Sequence, residues 1–146
     1  MKKPVLLYVD DDSNDLLLFE DASREADASF QLHTANDGEH AMQYLQAAAQ
    51  GGGEAECPTL VVIDIKMPRL SGLEILQWIR MQPGIRNIPV VVFTSSKHEV
   101  DIKRAYELGA NSYLVKTVEF PHLVEIIKLM DHYWIRMNQT TLPVKS

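Results

Sequence analysis

The sequence predicts an α/β fold, a doubly wound parallel sheet with helices on both faces. Three observations predict it. Five short apolar runs punctuate the chain at Val5–Val9, Phe30–Ala35, Thr59–Ile63, Pro89–Phe93 and Ser112–Val115. A stretch with helical caps and helical periodicity follows each run, and strict alternation of this kind implies parallel strands with crossover helices. Chemically able residues recur where these runs end, and right-handed crossovers bring all those ends to one edge of the sheet.

The elements follow in order. Val5–Val9 is closed at once by Asp10-Asp11-Asp12, so it reads as a short buried strand. Ser13-Asn14-Asp15 supplies N-cap chemistry for a helix running to about Ala28. Phe30–Ala35 alternates loosely as a second strand. Asn36-Asp37-Gly38 makes a turn, with Asp37 capping a helix to about Gln50. The segment from Gly51 to Pro58, with three consecutive glycines, is a loop.

The uninterrupted run Leu60-Val61-Val62-Ile63 is the third strand, covered on both faces, and Asp64 ends it. Ser71 starts a helix through Leu73, Ile75, Leu76, Ile79 and Met81, stopped by Pro83-Gly84. Pro89–Phe93 is the fourth strand, closed by Thr94-Ser95-Ser96. The next helix spans about Glu99–Leu108, with Gly109 as its C-cap. Ser112–Val115 is the fifth strand and ends at Lys116. The last helix runs from about Glu119 to Met137.

Bulk properties narrow the function. The 146 residues make one domain of ordinary size, 46% hydrophobic and 23% charged. The expected organisation is a single domain over 1–146, with a core at about 4–137 and a tail at 138–146. The net charge of -6 argues against a general nucleic-acid binder. One cysteine, Cys57, leaves no disulfide framework and no cysteine-based metal site, which fits a reducing cytoplasm. The first apolar run is too short for a signal sequence or a membrane span, so no membrane association is expected.

The strand ends collect Asp10, Asp11, Asp64, Thr94 and Lys116. A lone Asp at the mouth of a buried strand is costly unless it is paired or binds a metal. Clustered carboxylates repel, and a divalent cation such as Mg²⁺ relieves that. Asp64 is a plausible nucleophile toward phosphorus. Lys116 can neutralise phosphoryl oxygens, and Thr94 can donate to them. The backbone carbonyl of Lys66, two residues past Asp64, can complete a metal site. Taken singly, these residues read as caps and surface charges; their common register is what points to phosphoryl chemistry on a carboxylate.

The ordered set Val9-Asp10-Asp11, Asp64 with Met67-Pro68 and Gly72, Thr94-Ser95, and Tyr113-Leu114-Val115-Lys116 resembles the receiver domain of two-component response regulators. The resemblance implies a flavodoxin-like fold with strand order 2-1-3-4-5. It implies that Asp64 is the phosphoacceptor, that Asp11, Asp64 and the Lys66 carbonyl bind Mg²⁺ directly, and that Asp10 acts through water. It makes Thr94 and Tyr113 switch residues, with a sensor histidine kinase as the phosphoryl source. One departure stands out: the family usually has Lys-Pro after the fifth strand, and here it is Lys116-Thr117. That variant, the Tyr133-Trp134 helix and Thr141-Leu142-Pro143 are similar to single-domain receivers that partner phytochrome kinases.

Two rival readings are weaker. Hydrolases of the haloacid dehalogenase type need a second Asp two residues after the nucleophile, and Lys66 holds that place. A scaffold that never takes phosphate has no need of an intact Asp11, Asp64, Thr94 and Lys116 set. Without an output domain, signalling falls to protein contacts. On a helical wheel Leu123, Ile126, Ile127, Leu129, Met130, Tyr133, Trp134 and Met137 cover roughly half the circumference, whereas docking needs a stripe of only about 100°. Val124 and Ile135 fall on the polar side. The excess implies a homodimer through the last helix, unless the C-terminal tail folds back over it.

Overall fold

A computed structural model describes residues 3–51 and 56–141; part of the glycine loop and the tail from 142 onward, including Leu142-Pro143, lie outside the described residues. The strands are β1 (Val5–Val9), β2 (Gln31–Ala35), β3 (Leu60–Ile63), β4 (Val90–Thr94) and β5 (Ser112–Val115). The helices are α1 (Ser13–Glu25), α2 (Gly38–Ala49), α3 (Gly72–Met81), α4 (Glu99–Glu107) and α5 (Phe120–Met130). The sheet is parallel throughout, in the order β2-β1-β3-β4-β5.

The period-two alternation of strands divides the core into two layers. Leu7, Val9, Val61, Ile63, Val90 and Val92 face one side, with Leu45, Ile75, Ile79 and Ala105 from α2, α3 and α4. Leu6, Tyr8, Leu60, Val62, Val91 and Phe93 face the other, with Phe19 from α1 and Leu123 and Ile127 from α5. Central β1, β3 and β4 are buried along their whole length, while the edge strands β2 and β5 are covered only in part. This is why the three central strands read as continuous apolar runs.

Several local expectations need correction. Asp12, rather than Ser13, caps α1: its carboxylate accepts the amides of Asn14 and Asp15. The helix stops at Glu25, short of Ala28, because Asp27 adopts a left-handed conformation (φ 51°). The amide of Asp27 donates to the Arg24 carbonyl and that of Ala28 to the Ser23 carbonyl, closing a Schellman motif. Gly109 (φ 106°) closes α4 in the same way, as expected. Ser71 caps α3 through a reciprocal capping box with Glu74.

The final helix also differs. α5 widens into a π-helical segment at Asp131–Met137. The change coincides with buried Asp131, whose carboxylate accepts the Ser29 amide (3.1 Å) and hydroxyl (2.6 Å) and so ties the helix to the turn before β2. Val124 is buried in the core and Ile135 packs against it, contrary to the wheel. The face left exposed holds Leu129, Tyr133 and Met137.

Candidate functional site

The site is built where β1, β3, β4 and β5 end. The ladder continues one residue past the strands. The Asp10 amide donates to Ala35 (3.1 Å), the Asp64 amide to Val9 (3.0 Å) and the Lys116 amide to Thr94 (2.8 Å). The backbones carrying these side chains are therefore fixed by the sheet rather than by mobile loops.

Lys116 is the hub. Its ammonium lies 2.7 Å from Asp10 Oδ2, 2.7 Å from Asp15 Oδ2 and 2.8 Å from Asp64 Oδ2. Asp10 and Asp64 are buried, and only 12% of the lysine side chain is exposed. Burial alone would lower the lysine pKa, but its bonds to Asp10, Asp15 and Asp64 outweigh that and hold it above its ordinary value. Burial raises the pKa of Asp10, and the bonds from Lys116, the Tyr8 hydroxyl and the Asp12 amide oppose the rise. Burial likewise pushes the Tyr8 hydroxyl far above its usual range, and the negative charge of Asp10 adds to the effect.

Asp64 sits in a tight backbone environment. Its Oδ1 accepts the Lys66 amide at 3.0 Å. Gly72, the first residue of α3, packs directly on it: a Cβ there would lie 2.2 Å from the Asp64 carbonyl oxygen. Carboxylate oxygens of Asp10, Asp11 and Asp64 all lie within 4.8 Å of one another, with Asp11 exposed at the mouth. That donor set, all oxygen and partly open, fits a hard divalent cation that retains some of its waters.

Thr94 is buried at the end of β4, and its hydroxyl is the one buried side-chain polar atom without a hydrogen-bond partner among the described residues. Buried hydroxyls ordinarily find partners, and an orphan of this kind calls for a functional explanation.

A second network borders the site. Tyr113 donates its hydroxyl hydrogen to the Ser96 carbonyl (2.9 Å), and Ser96 donates its own to Asp101 on α4 (2.5 Å). The Lys66 ammonium lies 3.0 Å from the same Asp101 oxygen. The Ser96 bond, reinforced by Lys66, holds the Asp101 carboxyl below the usual carboxylate range. The peptide between Lys116 and Thr117 is trans, like every other among the described residues.

The structure thus brings Asp10, Asp11, Asp64 and Lys116 together, with Thr94 at the end of the neighbouring strand. Sequence reasoning missed Tyr8, Asp15 and Asp101. Tyr8 carried a usable signal, since two residues apart on a strand means the same side as Asp10. Asp15 and Asp101 carried none, because helical acids are ordinarily solvated. His40, His98, His122 and His132 are exposed, and half-buried His33 packs beside Tyr44.

The chain is similar to several known proteins. The probable methanogenesis regulatory protein FilR2 of Methanothrix harundinacea is 32% identical over 139 residues, spanning 95% of this chain and 88% of that protein. Response regulator Rcp1 of Synechocystis sp. is 31% identical over 139 residues, spanning 95% of this chain and 92% of its own. The Mn²⁺-bound form of Rcp1 superposes with a TM-score of 0.79 at 30% identity, covering 97% of this chain and 99% of that one. The phosphorylated cyanobacterial phytochrome response regulator RcpA gives a TM-score of 0.84 at 30% identity, with the same coverage. Residues 6–128, most of the chain, match the response regulator receiver domain, and the protein belongs to that family.

Proposed function

We propose that Asp64 is the phosphoacceptor of this receiver and that Thr94, Lys116 and Tyr113 read the phosphoryl group. The orphaned hydroxyl of Thr94 carries the reading. A carboxylate, an ammonium and an unpaired hydroxyl are the three groups that a phosphoryl switch on Asp64 requires.

A sensor histidine kinase presents a phosphohistidine. The Asp64 carboxylate attacks phosphorus, an O–P bond forms, and the N–P bond breaks with its electron pair returning to the imidazole. Lys116 balances negative charge gathering on the phosphoryl oxygens. The sheet holds Asp64 and Lys116 in place beforehand, so little reorganisation is needed. Asp11, Asp64 and the Lys66 carbonyl would hold Mg²⁺, with Asp10 acting through water; the ion neutralises phosphoryl and carboxylate charge. Thr94 then donates its hydroxyl hydrogen to a phosphoryl oxygen. Tyr113 leaves the Ser96 carbonyl and turns inward, which alters the loop after β4 and the α4–β5 face.

The product is a stoichiometric acyl-phosphate rather than a turned-over substrate, because Lys66 occupies the place where a hydrolase needs its second acid. The same reading places the protein in the cytoplasm. Similarity to RcpA over nearly the whole chain favours a kinase of the phytochrome class as donor. The exposed strip Leu129, Tyr133 and Met137 supports a homodimer through the C-terminal helix. Phosphotransfer from purified kinases tests the donor. Rapid transfer from a phytochrome kinase supports the assignment, and transfer only from unrelated kinases counts against it. Sedimentation of the wild type and of Tyr133→Glu tests the dimer: the variant should be monomeric where the wild type is dimeric.

A further inference from the structure

The contacts of Lys116 point beyond the acceptor chemistry. An ammonium has three N–H donors. Here three carboxylate oxygens take them, from Asp10, Asp15 and Asp64. None remains for a phosphoryl oxygen. One contact must open before the lysine can serve an occupied site.

The three contacts are unequal. Asp10 is fully buried, and the oxygen it offers Lys116 also accepts the Tyr8 hydroxyl. Asp64 is the acceptor itself and is held by the Lys66 amide. Asp15 lies on the first turn of α1, with 31% of its side chain exposed. Its carboxylate has Lys116 as its one hydrogen-bond donor among the described residues. Released, it returns to water at little cost. In the metal-free site, freeing either of the others strands a buried charge, which costs far more.

We propose that Asp15 is a positioning residue that holds the Lys116 ammonium in the unphosphorylated state and competes with the phosphoryl group for it. This rests on the assignment of Asp64 as phosphoacceptor and adds a control on that site. Asp15 sets how readily the lysine turns to the phosphoryl oxygens, and so the rate at which the adduct forms. Because it sits on α1, the release couples phosphorylation to the first turn of that helix.

The test is adduct formation from acetyl phosphate at saturating Mg²⁺, followed by intact mass, for wild type, Asp15→Asn and Asp15→Glu. In this reaction the Asp64 carboxylate displaces acetate from phosphorus. Asp15→Asn should form adduct about two- to fivefold faster, the range expected for losing a partly exposed charged contact. Asp15→Glu, which keeps the charge, should stay near wild type. The gain should persist in 0.5 M salt, because it comes from a freed donor; a gain abolished by salt means general charge repulsion and overturns the proposal. A rate for Asp15→Asn equal to or below wild type also overturns it. If wild type forms no adduct at all, the acceptor assignment fails as well, so the two failures are distinguishable.

Discussion

Tyr8 donates its hydroxyl hydrogen to Asp10 Oδ2 at 2.6 Å, the same oxygen that accepts Lys116 at 2.7 Å. The ring stacks on Phe19 with centroids 4.0 Å apart, so the core on the α1–α5 side reaches directly into the acidic site. Tyr8→Phe keeps the packing and removes one of the bonds that oppose the raised pKa of Asp10. That pKa should rise further, so protons compete with Mg²⁺ at higher pH than in wild type. Metal titrations at successively lower pH should show affinity falling earlier on acidification in the variant. The stability cost should be about 0.5–1.5 kcal/mol, measured by denaturant melts.

Lys116→Met removes the cation that Asp10 and Asp64 share while both stay buried. Breaking a buried pair from one side costs about 3–5 kcal/mol, and added Mg²⁺ should return part of it by supplying charge at the same carboxylates. Thermal melts with and without the ion measure both effects. In wild type the raised lysine pKa sets the sign with pH. The pairing contributes fully below the ordinary lysine value of 10.5 and is lost as pH rises through the folded-state value. Alkaline melting should therefore weaken wild type more than the variant.

Thr94→Val should separate stability from signalling. The hydroxyl it removes has no partner in this state. Replacing an unsatisfied buried hydroxyl with a methyl should leave the unphosphorylated protein as stable or up to about 1 kcal/mol more stable. The stabilisation given by beryllofluoride, an analogue of the bound phosphoryl group, should shrink. A variant that is destabilised yet responds normally to beryllofluoride would contradict the role given to Thr94.

Gly72→Ala places a carbon 2.2 Å from the Asp64 carbonyl oxygen. The added Cβ meets only backbone atoms of Asp64 and Ile65 there, so no side-chain rotation relieves it. The cost should reach at least about 1–3 kcal/mol. Because the strain falls on Asp64, adduct formation should drop together with stability in paired kinetic and melting measurements.

The fold was legible because β1, β3 and β4 are buried on both faces and, up to Thr94 at the end of β4, are written with apolar residues. The parallel pattern alone puts Asp10, Asp64, Thr94 and Lys116 on one edge. The π-helical segment was not legible, because its anchor is a contact between Asp131 and Ser29 across the fold. Asp15 stayed hidden for the same reason. An acid in the first turn of a helix is ordinary, and only tertiary placement shows that it shares Lys116 with Asp64. The C-terminal apolar excess was legible from periodicity alone, and Leu129, Tyr133 and Met137 are the residues it leaves exposed.

The most direct test of the central claim is the intact mass of the protein after incubation with Mg²⁺ and acetyl phosphate, for wild type and Asp64→Asn. The account predicts one phosphoryl group on wild type, lost on treatment with hydroxylamine as an acyl-phosphate is, and none on the variant. An unmodified wild type, or an Asp64→Asn variant that gains the same adduct, would contradict it.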